Sequence, residues 1–123
     1  MNVLIVDDDE AIRTLVMRVF ARCGDSVQSA VDGQAAIGCL QEHDFDLVVL
    51  DLMMPRTDGF GVLSYLAARS AALPRVIVMT AAVPALVQQV PEELILGVIA
   101  KPFDLSALAD LAAKARRGQA LAG

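Results

Sequence analysis

The side chains best suited to chemistry in this sequence stand directly after short apolar runs. They are three consecutive carboxylates, a fourth carboxylate, a hydroxyl and an ammonium, carried by Asp7, Asp8, Asp9, Asp51, Thr80 and Lys101. Each alone has an ordinary structural explanation, because an aspartate after a strand is commonly a helix cap or part of a turn. Their joint occurrence after four separate runs is far more specific, and we interpret them as parts of one site.

Asp7, Asp8 and Asp51 would repel one another if the fold brought them together. A hard divalent cation such as Mg²⁺ relieves that repulsion, since it takes oxygen ligands and usually keeps several waters. The cation and the ammonium of Lys101 could neutralise charge on a transferred phosphoryl group while a carboxylate attacks in line. The Thr80 hydroxyl could donate a hydrogen bond to a phosphoryl oxygen. These residue types therefore favour phosphoryl transfer at a magnesium site.

The apolar runs before these residues predict β-strands. Residues 3–6, 47–50 and 76–79 are continuous and rich in branched side chains, which is typical of parallel strands covered on both faces. Residues 27–31 and 98–100 form weaker runs. We expect the strong strands at the centre of the sheet and the weak ones at its edges.

Helical patterns separate the predicted strands. The first helix is capped by Asp9 and stopped by Gly24, and it presents one apolar face formed by Ile12, Leu15, Val16, Val19 and Phe20. Asp32 and Gly33 are expected to form a turn before the second helix. The other predicted helices cover residues 34–42, 59–68 and 104–117, the last capped by Asp104.

Two prolines interrupt the segment from residue 81 to residue 97. Pro84 could begin a helix, but Pro91 would break it after about two turns, since an interior proline lacks a donor and clashes with the preceding turn. We expect a shortened or kinked helix here.

Five strand–helix repeats predict one α/β domain with a doubly wound (βα)5 architecture. Such alternation implies a parallel five-stranded sheet with right-handed crossovers and helices on both faces. Strong first, third and fourth strands suit the order 2-1-3-4-5. In this arrangement ligands bind beyond the C-terminal ends of the strands, at the switch point between the first and third strands. The polar residues described above follow those strand ends.

Composition excludes several other classes of protein. The chain has 123 residues, 56% of them hydrophobic, and a net charge of −5, which argues against intrinsic disorder and against a basic nucleic-acid-binding surface. Cys23 and Cys39 lack the spacing of a zinc site or a disulfide framework and are expected to be buried. Because no signal peptide or membrane-spanning run is present, we expect a cytoplasmic protein.

Four segments together resemble the receiver domain of two-component response regulators. They are VLIVDDDEAIR from residue 3, VVLDLMMPRTDG from residue 48, VIVMTA from residue 76 and AKPF from residue 100. The resemblance extends over residues 3–116 in order and spacing, and it implies the flavodoxin-like fold of chemotaxis regulators. We assign residues 1–117 to the receiver domain and residues 118–123 to a short C-terminal tail.

The resemblance also implies a role for each site residue. Asp51 matches the phosphoacceptor, and Thr80 and Lys101 match the hydroxyl and ammonium that contact the phosphoryl group. Asp7 and Asp8 match the acidic pair that binds Mg²⁺ with Asp51, Asp7 often through water. The backbone carbonyl of Met53 would complete the protein ligands.

By resemblance, the phosphoryl group comes from a histidine kinase or a histidine phosphotransfer protein, and the aspartyl phosphate switches partner binding. The partner is a downstream protein or an output domain missing from this chain, without direct nucleic-acid binding or a membrane span. The domain is expected not to be an enzyme beyond catalysing its own phosphorylation and dephosphorylation.

Some residues depart from the family pattern. Val98 occupies a position where the family often has Tyr or Phe. In the family, phosphorylation reshapes the output face, which is the surface made by the fourth helix, the fifth strand and the fifth helix. Val98 therefore implies a switch through a smaller side chain or weak coupling to this output face. Met53 and Ala82 occupy positions that influence hydrolysis, and neither side chain can position a water. We therefore hypothesise a relatively long-lived phosphoryl group.

Two alternatives remain open at this stage. One is an interaction module that keeps the fold but does not switch by phosphorylation. The other is a magnesium-dependent phosphohydrolase with an aspartate nucleophile in the Asp7-x-Asp9 arrangement. The second would leave Asp51 unexplained, and such enzymes usually carry a cap domain.

Overall fold

Five parallel strands form one sheet in the computed structural model. The structure describes residues 1–52, 59–68, 74–80, 95–100 and 105–122. At Thr80 and at residues 118–122 it describes the backbone alone. The strands are β1 (Asn2–Val6), β2 (Ser26–Ala30), β3 (Leu47–Asp51), β4 (Arg75–Thr80) and β5 (Ile95–Ala100). Their order is β2-β1-β3-β4-β5, with all neighbours parallel. The predicted sheet order is confirmed, and the two weak strands lie at the edges.

Four helices lie within the described residues. They are α1 (Glu10–Ala21), α2 (Gly33–Glu42), α3 (Gly59–Ala68) and α4 (Leu105–Ala122). The predicted turn at Asp32 is in fact the N-cap of α2, whose carboxylate accepts a hydrogen bond from the Ala35 N–H at 2.8 Å. Helix α4 continues five residues past the predicted end at residue 117. The predicted helix with Pro84 and Pro91 and the predicted Asp104 cap lie outside the described residues.

Alternate residues of the central strands point to opposite sides of the sheet, and each side has its own buried cluster. One cluster lies against α2 and α3, and the other lies against α1 and α4. In β1, Leu4 and Val6 belong to the first cluster, whereas Val3 and Ile5 belong to the second. Because both faces are covered, the apolar runs are continuous, and polar side chains are confined to the strand ends.

Strand β5 begins at Ile95, three residues before the predicted start at Val98, so this prediction was wrong. The pairing with β4 is irregular, and Leu96 is an extra residue in β5. A Cβ built on Gly97 would lie 2.6 Å from Cδ2 of Leu111, so the absent side chain lets α4 approach the edge strand. The glycine that obscured the strand pattern thus leaves room for the Leu111 side chain.

Two side-chain predictions for the first helix region were also wrong. Val16 and Phe20 are buried, but Leu15 is 42% exposed, because the apolar stripe of α1 is wider than the face that contacts the sheet. Cys23 is exposed, because it lies beyond the end of α1, while Cys39 is half-buried; both are free thiols. No helix within the described ranges is long and apolar enough to cross a membrane.

Asp25 joins three parts of the chain that are distant in sequence. Its buried carboxylate accepts a hydrogen bond from the terminal ammonium of Met1 at 3.0 Å and forms an ion pair with Arg116 of α4. The Arg116 guanidinium also lies 5.9 Å from the ring centre of Phe20 in α1. Burial alone would raise the pKa of the Asp25 carboxyl, but the hydrogen bonds and charges of Arg116 and the ammonium hold that pKa below its ordinary value.

We predict that Asp25→Asn lowers the free energy of unfolding at pH 7 by about 1–2 kcal/mol, because both cations lose a charged acceptor. A folded-state pKa below the unfolded value contributes stability above the unfolded pKa, near 3.8. That contribution is lost as the pH falls through the lower folded-state pKa. Urea unfolding at several pH values should therefore show the difference from wild type shrinking below about pH 4. Asp110→Asn, which removes an exposed carboxyl of α4, is the control, and a pH-independent difference for Asp25→Asn would contradict the prediction.

Candidate functional site

Asp7 and Asp51 stand at the same level on the two central strands. Val6 of β1 pairs with Leu50 of β3 in the parallel register. The residue that follows each of them in the sequence is an aspartate. Neighbouring strands are about 4.8 Å apart, which brings the two side chains together at the C-terminal edge of the sheet. Asp7 is completely buried and Asp51 is 3% exposed.

Asp8, which is exposed, adds a third carboxylate beside this buried pair. One carboxylate oxygen from each of Asp7, Asp8 and Asp51 can be chosen so that all three lie within 4.8 Å of one another. Adjacent oxygens bound to one Mg²⁺ at about 2.1 Å are about 3.0 Å apart and opposite ones about 4.2 Å apart, so binding would draw these oxygens closer together. Three hard oxygen donors at this spacing fit a divalent cation, as the sequence predicted.

The turn that carries the acidic pair is fixed by hydrogen bonds to Asp7. Its N–H donates to the Ala30 carbonyl of β2 at 3.2 Å, which extends the sheet by one residue. Its Oδ1 accepts from the Asp9 N–H at 2.9 Å, and its carbonyl accepts from Nη1 of Arg13 at 2.8 Å. The carboxylate of Asp7 therefore has a defined position before any ligand binds.

Asp9 has a different role from the two acids before it. Its Oδ1 accepts hydrogen bonds from the N–H groups of Ala11 and Ile12, at 2.9 and 3.2 Å, and so caps helix α1. Among the described residues it is not a member of the carboxylate cluster. The predicted role of Asp9 as the cap of α1 is confirmed.

Of the other predicted site residues, the structure describes only the backbone of Thr80. Thr80 is the last residue of β4, and it pairs with Ala100, the last residue of β5. In the sequence, Lys101 follows Ala100 and Met53 follows Leu52. Lys101, Met53 and the side chain of Thr80 lie outside the described residues.

Sequence reasoning missed Arg13 and the packing role of Gly59. Gly59 begins α3, and its N–H donates to the Leu52 carbonyl at 3.1 Å. A Cβ built on Gly59 would lie 2.5 Å from Cα of Leu52 and 2.6 Å from the Asp51 carbonyl oxygen. The sequence predicted a helix that begins at residue 59, but not that this glycine supports the strand end that carries Asp51.

A doubly wound sheet with a carboxylate cluster at its switch point defines the receiver class of signalling domain. The chain matches the response regulator receiver domain family over residues 3–113 and belongs to that family. It is therefore a receiver domain of two-component signalling, as the resemblance implied.

Curated relatives carry response-regulator names. The chain is 41% identical over 81 residues to response regulator MprA of Mycolicibacterium vanbaalenii, a match covering 66% of this chain and 35% of that protein. It is 41% identical over 61 residues to a probable transcriptional regulator, ycf27, of Cyanidium caldarium, covering 50% of this chain and 24% of that protein. The matched part is thus well under half of either relative.

Solved structures show the same fold over nearly the whole chain. The signal receiver domain of a Bermanella marisrubri response regulator is 32% identical, with a TM-score of 0.83, covering 92% of this chain and 95% of that one. Chemotaxis response regulator CheY4 of Vibrio cholerae is 26% identical, with a TM-score of 0.82, covering 93% and 97%. Both similarities support the chemotaxis-regulator-like, flavodoxin-like architecture.

We predict that Gly59→Ala lowers the free energy of unfolding by about 1–3 kcal/mol, because its methyl group would displace the backbone at Asp51 and Leu52. The matched control is Gly38→Ala in α2, where a Cβ meets nothing within 4 Å. That control should gain up to about 1 kcal/mol from helix propensity. Urea denaturation of both variants checks the prediction, and equal effects of the two substitutions would contradict it.

Proposed function

We propose that the chain accepts a phosphoryl group on Asp51 and that the aspartyl phosphate switches its binding to partner proteins. The observation that carries the proposal is the gathering of the Asp7, Asp8 and Asp51 carboxylates within 4.8 Å at the C-terminal edge of the sheet. Asp51 is the member that ends a central strand, β3, where ligands bind in this architecture.

The donor is a phosphohistidine on a histidine kinase or histidine phosphotransfer protein. An oxygen of the Asp51 carboxylate attacks the phosphorus in line, and the new P–O bond forms as the P–N bond breaks. The imidazole nitrogen keeps the electron pair of the broken bond. Hydrolysis later restores the Asp51 carboxylate and releases inorganic phosphate. Both steps occur on the chain itself, so we do not assign it a separate enzymatic substrate.

We assign a Mg²⁺ site to Asp7, Asp8, Asp51 and the backbone carbonyl of Met53. When bound, the cation supplies positive charge that offsets the carboxylates and the transferred group. Asp7 keeps its carboxylate at the sheet edge through the hydrogen bonds of its turn. We further assign the Thr80 hydroxyl to a hydrogen bond with a phosphoryl oxygen and the Lys101 ammonium to an ion pair with it.

The receiver domain is assigned to residues 1–117, a range that contains the family match. Residues 118–123 form a C-terminal extension, of which 118–122 continue α4. We propose that the phosphorylated domain acts on a downstream protein or on an output domain. Direct nucleic-acid binding by this domain is not proposed, because its net charge is −5. The cytoplasmic location stays a prediction.

The output face differs from the family pattern at β5. Val98, at the position where the family often has an aromatic residue, is 42% exposed in that strand. We propose that a switch transmitted through this face uses the small side chain of Val98. The long-lived phosphoryl group stays a hypothesis, since Met53 and Ala82 lie outside the described residues; release of phosphate within seconds from loaded protein would count against it.

Neither alternative function is favoured by the family match. The phosphohydrolase would need Asp9 in the site, but the Asp9 carboxylate is engaged in capping α1. A module that never binds a cation or phosphoryl group would have no use for three carboxylates gathered at one edge of the sheet, because like charges held close together repel. The carboxylate cluster therefore supports phosphorylation over either alternative.

We predict that incubation with a small acyl phosphate and Mg²⁺ adds the mass of one phosphoryl group to the wild-type chain and none to Asp51→Asn, because an amide cannot act as the nucleophile. Intact-mass spectrometry measures both. Chelation of the metal should abolish the added mass.

The matched control is Asp44→Asn, which removes an exposed carboxylate from the loop before β3 and should be labelled like wild type. Equal labelling of Asp51→Asn and wild type would remove Asp51 from its assigned role. An unlabelled wild-type chain would favour the interaction module.

A further inference from the structure

We propose that Arg13 is a positioning residue for the carboxylate cluster, acting through the main chain of Asp7; this inference rests on the proposed function. Nη1 of Arg13 donates a hydrogen bond to the Asp7 carbonyl oxygen at 2.8 Å in a partly buried contact. A carbonyl that is taken out of water and loses its hydrogen-bond partner is destabilised. A charged donor such as guanidinium also binds a carbonyl more strongly than a neutral donor does.

The place of Arg13 in α1 is unfavourable for a cation on helix electrostatics alone. Its N–H donates to the Asp9 carbonyl at 2.9 Å, so Arg13 lies next to the N-terminal turn, where the helix dipole is positive. Four acidic residues, at positions 7–10, lie three to six residues before it in the sequence. Their negative charge offsets the unfavourable dipole, so the guanidinium suits this acidic turn.

The hydrogen bond from Arg13 to the Asp7 carbonyl can be removed by a single substitution, because its donor is a side chain. The Asp7 N–H donates to the Ala30 carbonyl, and Asp7 Oδ1 accepts from the Asp9 N–H, so both of these partners are main-chain groups. Arg13 binds the third atom, the carbonyl oxygen, from a side chain. Without this hydrogen bond, the peptide between Asp7 and Asp8 is freer to rotate, and the Asp8 carboxylate is held less firmly at its spacing to Asp7 and Asp51.

Removing the guanidinium has two opposing effects on cation binding. Loss of orientation weakens binding, whereas loss of a nearby positive charge strengthens it. We assign the larger effect to orientation, because Arg13 is only partly buried, so solvent and salt screen its charge. The hydrogen bond, in contrast, acts directly on the residue that carries the ligand.

The test compares wild type with Arg13→Met, which keeps an unbranched apolar stem, and with Arg13→Lys, which keeps a charged donor. Arg18→Met is the matched control, since Arg18 is an exposed arginine of the same helix. Calorimetric titration with Mg²⁺ alone gives the affinity. The rate of labelling by a small acyl phosphate is then measured as a function of Mg²⁺ concentration.

We expect Arg13→Met to raise the Kd for Mg²⁺ about tenfold, the lower end of effects seen for residues that orient metal ligands. The Mg²⁺ midpoint of labelling should rise by the same factor, while the rate at saturating Mg²⁺ stays unchanged. Arg13→Lys should recover part of the affinity, and Arg18→Met should match wild type. A general loss of folding would lower the saturated rate instead, and thermal unfolding of each variant checks for it.

A Kd for Arg13→Met within about twofold of wild type, or tighter, would overturn the inference. A lowered saturated rate with an unchanged midpoint would overturn it too. The experiment also separates failure of the proposed function from failure of this inference. If wild type binds Mg²⁺ but is not labelled, the proposed function fails, while the Mg²⁺ titrations still decide the role of Arg13.

Discussion

Repulsion among three carboxylates is the constraint on which the functional edge of this sheet depends. The parallel register of β1 and β3 places Asp7 beside Asp51, both buried, and the β1–α1 turn adds Asp8. Because moving the three charges apart would lower their electrostatic energy, the backbone must hold the strand ends in place against this repulsion. The strand pairing of Asp7 with Ala30 and the N-cap of α1 provide that resistance. The three carboxylates are thus gathered before any ligand binds.

The apolar interior also contributes to this arrangement, because it leaves room for polar side chains only at the ends of the central strands. In the described structure, β1, β3 and β4 are buried from both faces by two clusters that alternate along each strand. The close approach of Gly59 to the main chain at Asp51 ties α3 to the end of β3, so helix packing and site geometry are coupled. Asp25 and Arg116 connect α4 to the start of the molecule on the opposite edge, away from the site.

Much of the fold and of the cluster followed from local patterns. The central strands, the sheet order and the Asp9 cap were predictable because each depends on residues close in sequence. The start of β5 was not, because Gly97 resembles a strand breaker until its contact with Leu111 is known. The exposure of Leu15 was not predictable either, since an apolar helix stripe does not reveal how much of it the sheet covers.

The sequence by itself determined which residue types end each strand, and from this the (βα)5 order and the membership of the carboxylate cluster. It could do so because strand ends in a parallel sheet converge whatever the details of packing. Only the tertiary structure decided which groups hold the clustered acids in place. Arg13 reaches the Asp7 carbonyl, and Gly59 touches the Asp51 backbone, through contacts between a helix and a strand end. Such contacts depend on where each helix packs, and this position is set by the whole core rather than by any short segment.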